Sequence, residues 1–194
     1  GSPLVAIEGY GSHGAHQLYE RALSLCRQLH RAVDPPILRG LGLARLQGCR
    51  FDECSELGQA LVDHESRDPI AKTEGRYLLG VSAFWRGDLA SARLYLEGAI
   101  EAYDPSHRHE HLVLYAQDPK AVCLVRLAWV DLWAGDAGRA DERARSALQL
   151  AVDLDHLMTL FDHIEADAAI RVLVLTGTGR AFSAGYDLNS VADR

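Results

Sequence analysis

Apolar residues recur at helical spacing along most of the chain. Leu78, Leu79, Val81, Ala83, Phe84 and Trp85 form one run, and Val122, Leu124, Val125, Leu127, Ala128 and Trp129 another. Both are broad enough for helices buried between neighbours. With the start and stop signals added, the pattern predicts helices at 12–31, 36–48, 52–65, 69–86, 89–103, 119–134 and 137–153, and an eighth near 155–166. Residues 104–118 read as a loop, closed by Asp118 as a helix cap with Pro119 at the first helical position.

The pattern repeats. Leu46-Gln47-Gly48-Cys49-Arg50-Phe51, Trp85-Arg86-Gly87-Asp88-Leu89-Ala90 and Trp133-Ala134-Gly135-Asp136-Ala137-Gly138 align on their first glycine. Twelve positions after each glycine come Ala60-Leu61, Ala99-Ile100 and Ala147-Leu148, and Ala15 through Ala22-Leu23 keeps the second half of a fourth copy. The unit reads as helix, glycine turn, helix. Glycine accepts the left-handed conformation that ends the first helix, and Asp88 and Asp136 stand where they cap the second. Small residues at Ala92 and Ala140, and at Ala60, Ala99 and Ala147, let helices approach closely. The glycines lie 39 (87 minus 48) and 48 (135 minus 87) residues apart, both more than the roughly 34 of a standard tetratricopeptide repeat.

Residues 10–160 resemble the tetratricopeptide-like region of bacterial LuxR-type ATPase regulators and ATPase-linked adenylate cyclases. The resemblance is carried by Tyr19-Glu20-Arg21-Ala22-Leu23, Gly75-Arg76-Tyr77-Leu78-Leu79-Gly80, Gly87 with Ala92 to Ala99, His111 to Tyr115 and Asp118-Pro119. It implies a mainly α fold, an α–α superhelix of antiparallel helix pairs over residues 1–160. It also implies a non-catalytic regulatory module of a signalling or transcription regulator, with a protein or peptide segment, or a small effector, on the concave face. No G-x-x-x-x-G-K-[ST] phosphate loop occurs in the sequence.

After about residue 160 the helical period stops, so 161–194 forms a second, short α/β appendage. Ile170-Arg171-Val172-Leu173-Val174-Leu175 reads as a buried strand bounded by Thr176-Gly177-Thr178-Gly179. With Arg180-Ala181-Phe182-Ser183-Ala184-Gly185-Tyr186-Asp187-Leu188 it resembles the crotonase family, the enoyl-CoA hydratases and isomerases. The resemblance implies an acyl-CoA loop at Ala184, Gly185, Tyr186 and Asp187, in which the Tyr186 N–H is one of two donors to a thioester enolate. The second donor and the catalytic carboxylates that the family requires find no match up to Arg194. A non-catalytic chain with a vestigial or grafted tail is therefore expected, and an acyl-CoA-binding protein of the enoyl-CoA hydratase/isomerase family, processing acyl-CoA, is the alternative. An unpaired strand at 170–175 also invites self-association through the tail.

Composition sharpens the picture slightly. At 48% apolar and 24% charged the chain is ordinary for a globular protein, and its net charge of -7 argues against nucleic acid or an anionic membrane as partner. Cys26, Cys49, Cys54 and Cys123 lack a C-x-x-C spacing and read as reduced thiols, so the cytoplasm is the expected compartment, in keeping with the absence of signal-peptide features at Gly1-Ser2-Pro3. His107, His109 and His111 alternate beside Asp104 and Glu110, but alternation in a loop fixes no tetrahedral set. No metal or other cofactor is expected. Glu20, Glu97, Glu101, Asp131, Asp141 and Glu142 read as solvated helix faces. Trp85, Trp129, Trp133, Tyr77 and Tyr95 are expected to pack between helices, with Tyr95 and Trp133 the best placed for a ligand groove.

Overall fold

The computed structural model describes residues 10–64 and 68–151. Among these the chain is mainly helical, with eight α-helices and no strand. They are α1 (His13–Gln28), α2 (Pro35–Gln47), α3 (Phe51–Val62), α4 (Pro69–Trp85), α5 (Leu89–Ala102), α6 (Arg108–Tyr115), α7 (Pro119–Trp133) and α8 (Ala137–Ala151). The expected eighth helix near 155–166, the division near 160, the strand at 170–175 and the loop residues Ala184, Gly185, Tyr186 and Asp187 lie outside the described residues.

Several helix starts carry side-chain caps. Asp88 accepts from the Ser91 N–H at 3.0 Å, Asp136 from Arg139 at 3.0 Å, and Asp118 from Lys120 at 2.9 Å, each satisfying a donor the helix leaves open. The expected loop at 104–118 is different. It holds a 3-10 turn at Pro105–His107 and the helix α6. Its buried positions are His111 and Tyr115, so its inward face is polar and aromatic and carries no aliphatic period to read.

Each long helix packs on its neighbours in the chain, and α5 passes over the α6 insert to pack on α7; α4 also meets α2 and α7. The turns correct the repeat alignment. Gly87 and Gly135 have φ of +81° and +88°, but in the first turn the left-handed residue is Cys49 at +57°, and Gly48 has an ordinary φ of -82°. Aligned on Cys49, Gly87 and Gly135, the second helices bury Cys54, Gly58 and Leu61 where the next pair buries Ala92, Leu96 and Ala99. Ala60 is exposed, so it does not mediate the close approach expected of it. That role belongs to Gly58 and Gly75, where a Cβ on Gly75 would sit 2.6 Å from the Gly58 carbonyl oxygen.

One core cluster runs from α2 to α7 through Leu61, Leu78, Val81, Leu96 and Leu127. Each such side chain contributes roughly 1.5–3 kcal/mol on burial. A smaller cluster of Ala15, Tyr19 and Leu41 joins α1 to α2. Asp131, expected on a solvated face, is fully buried. It pairs with Arg93 of α5 and with Arg143 of α8, whose Nε lies 2.7 Å from Oδ2, and Arg143 also holds Glu97. That ion cluster ties three helices where a lone buried carboxylate would destabilise them. No described helix is long and apolar enough to cross a membrane.

Candidate functional site

The first helices of successive pairs, α2, α4 and α7, share one side of the stack. There they line a groove of about 320 Å³ with Leu43, Leu46 and Gln47 from α2, Tyr77 from α4, and Val122, Val125 and Arg126 from α7; Tyr10 and Gln117 complete it. Its lining mixes the aliphatic side chains of Leu43, Leu46, Val122 and Val125 with the polar groups of Tyr10, Gln47, Tyr77, Gln117 and Arg126. The Gln117 side-chain nitrogen is buried and has no hydrogen-bond partner among the described residues, a state that costs about 1–3 kcal/mol unless a ligand or water fills it. Arg126 lies over the rings of Phe84 and Trp85, at 5.7 Å from each centroid, and forms no ion pair among the described residues.

Tyr10 and Tyr77 are shared with a buried charged cluster. Arg39 of α2 is 1% exposed; its Nε donates to Glu74 Oε2 at 3.0 Å and its Nη1 to the Tyr10 hydroxyl at 3.0 Å. The other Glu74 oxygen lies 2.8 Å from His111 Nδ1, so one carboxylate joins α2, α4 and α6. Tyr10, Tyr77 and Tyr115 stand within 5.3–5.9 Å of the guanidinium. Their rings supply cation–π attraction in place of water. Burial opposes the Arg39 charge, but Glu74, Tyr10 and Tyr77 outweigh it and hold the pKa above its ordinary value. Burial also raises the hydroxyls of Tyr77 and Tyr115, so they stay neutral donors at any physiological pH.

The insert is pinned at its other end too. Asp118 Oδ2 accepts from Arg108 Nε at 2.9 Å and from the Tyr103 hydroxyl at 3.3 Å, and Ala116, at φ +58°, turns the chain from α6 into α7 and places Gln117 at the groove. Sequence reading missed this cluster because Arg39, Glu74 and His111 are far apart in the chain. The available signal was a charge at a register position filled by Tyr77 and Val125 in the later pairs, which is where Arg39 stands.

The expected site residues do not converge. Tyr95 lines a separate pocket of about 310 Å³ with Arg76, Leu94 and Glu101. Trp133 is 53% exposed and stacks on Phe84 at 4.8 Å, in the lining of neither cavity. Trp85 and Trp129 are 50% and 47% exposed, so of the aromatics expected in the core only Tyr77 is buried. The histidines diverge: His107 Nδ1 meets Glu110 at 2.8 Å, His109 is exposed, and His111 turns inward to Glu74. Among the described residues no three His, Cys, Asp or Glu side chains gather as a metal site. Burial pushes the Cys54 thiol up to about 12 and Cys123 well above its usual range, which keeps both protonated and unreactive.

No protein-family model matches the chain, and no curated protein or solved structure is detectably similar to it.

Proposed function

We propose that the chain is a non-catalytic binding module, a tetratricopeptide-like stack of helix pairs that receives an extended protein segment along the α2–α4–α7 face. The observation carrying this reading is a groove that brings together the buried Gln117 amide nitrogen, without a hydrogen-bond partner among the described residues, and the Arg126 guanidinium, without an ion-pair partner among them. A groove that sets aliphatic side chains beside placed polar groups fits a peptide. The donors call for acceptors, so the segment presents a carboxylate, either acidic or C-terminal, to Arg126 and a main-chain carbonyl to Gln117. Such a role matches the regulatory part that similar helical regions play in bacterial signalling proteins. The acyl-CoA reading rests on Ala184, Gly185, Tyr186 and Asp187 alone.

An array of short peptides ending in free or amidated carboxyl groups, probed with the full chain, tests this. Acidic or free-carboxylate peptides are expected to be retained. Arg126→Gln is expected to weaken them by about 10–100-fold, the value of a charge-assisted hydrogen bond. Retention indifferent to peptide charge, or unchanged in Arg126→Gln, contradicts it.

A further inference from the structure

A larger opening among the described residues lies elsewhere. Between α7 and α8 runs a groove of about 590 Å³ lined by Val125, Trp129, Leu132, Ala140, Ala144 and Leu148 among others. Its one charged lining residue, Asp141, is paired with Arg145 at 2.8 Å. The surface is therefore apolar and nearly neutral.

Repeat register shows what this surface is. Counted back 48 residues (135 minus 87), the six positions become Tyr77, Val81, Phe84, Ala92, Leu96 and Ile100. The first five are 6%, 0%, 2%, 0% and 0% exposed, and the helix that packs against their pair is α7. Counted back a further 38 (87 minus 49) they become Arg39, Leu43, Leu46, Cys54, Gly58 and Val62, and the helix against that pair is α4. In both cases the first helix of the next pair lies over the surface. In the third pair the same surface is open, with Val125, Trp129, Leu132 and Leu148 at 44%, 47%, 50% and 61% exposure.

The chain runs on for 43 residues beyond Ala151 (194 minus 151). Its next stretch places Leu154, Leu157, Met158, Phe161 and Ile164 at helical spacing, with Asp155, Asp162 and His163 between them. It is joined directly to α8, and a short tether gives it an effective concentration of order millimolar at the groove. We infer that residues 154–164 of this same chain seat in the α7–α8 groove as the first helix of a further pair. The apolar stripe meets the apolar lining, and its acidic side faces away. This assignment depends on the repeat register alone and stands apart from the ligand proposed for the α2–α4–α7 face.

Thiol labelling of the full chain tests it. In a Cys26→Ser, Cys49→Ser background, Ala144→Cys places a thiol in the groove, and Arg145→Cys places a control thiol on an exposed neighbour. The groove thiol is expected to react with Ellman's reagent at least about tenfold more slowly than the control, at every protein concentration. Leu157→Glu with Phe161→Glu is expected to restore the control rate while Cys54 and Cys123 stay unreactive. Should that double variant unfold, exposing Cys54 and Cys123, the milder Met158→Asp gives the same reading. Equal rates in the parent overturn the inference. So does protection that fades on dilution, which marks a second copy as the occupant, or protection untouched by the tail variants.

Discussion

Val81 is fully buried, whereas Trp129, at the same register position one pair later, is 47% exposed. Phe84 and Leu132 repeat the contrast at 2% and 50%. Both pairs have the same turn, with glycine at φ +81° and +88°, and the same cap, Asp88 or Asp136. The difference lies in the helix that covers them. In a stacked array, burial of one pair is conferred by the next, so an open apolar surface at the last described pair marks a place in the stack before it marks a ligand. The α2–α4–α7 face is another matter, because it is built from the first helices of three successive pairs and shares only Val125 with the α7–α8 groove. There the buried Gln117 amide nitrogen has no hydrogen-bond partner among the described residues.

Perturbing the covered region is expected to give the largest effect. Glu74→Leu leaves Arg39 buried without its carboxylate and is expected to lower stability by about 3–5 kcal/mol in urea denaturation. The paired change Arg39→Met with Glu74→Leu is expected to recover much of that loss. A Glu74→Leu loss below about 1 kcal/mol would mean that the cluster is hydrated.

Alkaline titration comes next. The Cys54 thiol rises from 9.0 to about 12 and the Tyr19 hydroxyl from 10.0 to about 12 on folding, both chiefly through burial. Groups raised in this way contribute their full stability below the unfolded value and lose it as pH rises toward the folded one. Stability is therefore expected to hold to about pH 9 and then to fall as pH rises further, each such group losing about 1.36 kcal/mol per pH unit between its unfolded and folded pKa. A flat profile over that range contradicts the burial of these groups.

Two smaller effects probe what the pairs share. A Cβ at Gly87 or Gly135 meets nothing within 4 Å, so Gly87→Val and Gly135→Val carry the backbone cost alone. Each is expected to lose about 1–2 kcal/mol in thermal melts, and by similar amounts. Cys49→Gly runs the other way: it relieves a non-glycine residue at φ +57° and is expected to gain about 0.5–1 kcal/mol net of glycine's entropy. A loss would show that the Cys49 side chain contributes more than its backbone costs.

Much of this was legible in the sequence, and the limits have physical reasons. Long helices with caps at Asp88, Asp118 and Asp136 announced themselves within a residue or two at most ends, because capping chemistry and the apolar period are local. Cys49 was hidden since Gly48 beside it offered the more obvious turn residue, yet the buried Cys54, Gly58 and Leu61 fix the register one residue later. Asp131 looked like surface charge because its partners Arg93 and Arg143 stand on other helices. His111 looked like part of a polar loop for the same reason, as Glu74 is 37 residues away. Local pattern marks where helices begin and which face is apolar; charge neutralised across helices leaves no period to detect.

Photo-crosslinking tests the central claim most directly. A peptide retained by the chain, carrying a photoreactive group at its carboxyl end, is crosslinked to the full-length protein and the modified residues are mapped by mass spectrometry. Labels are expected on the α2–α4–α7 face at Gln47, Tyr77, Gln117 and Arg126. Labels confined to α3, α5 or α8 contradict a binding module that works through the face of its first helices.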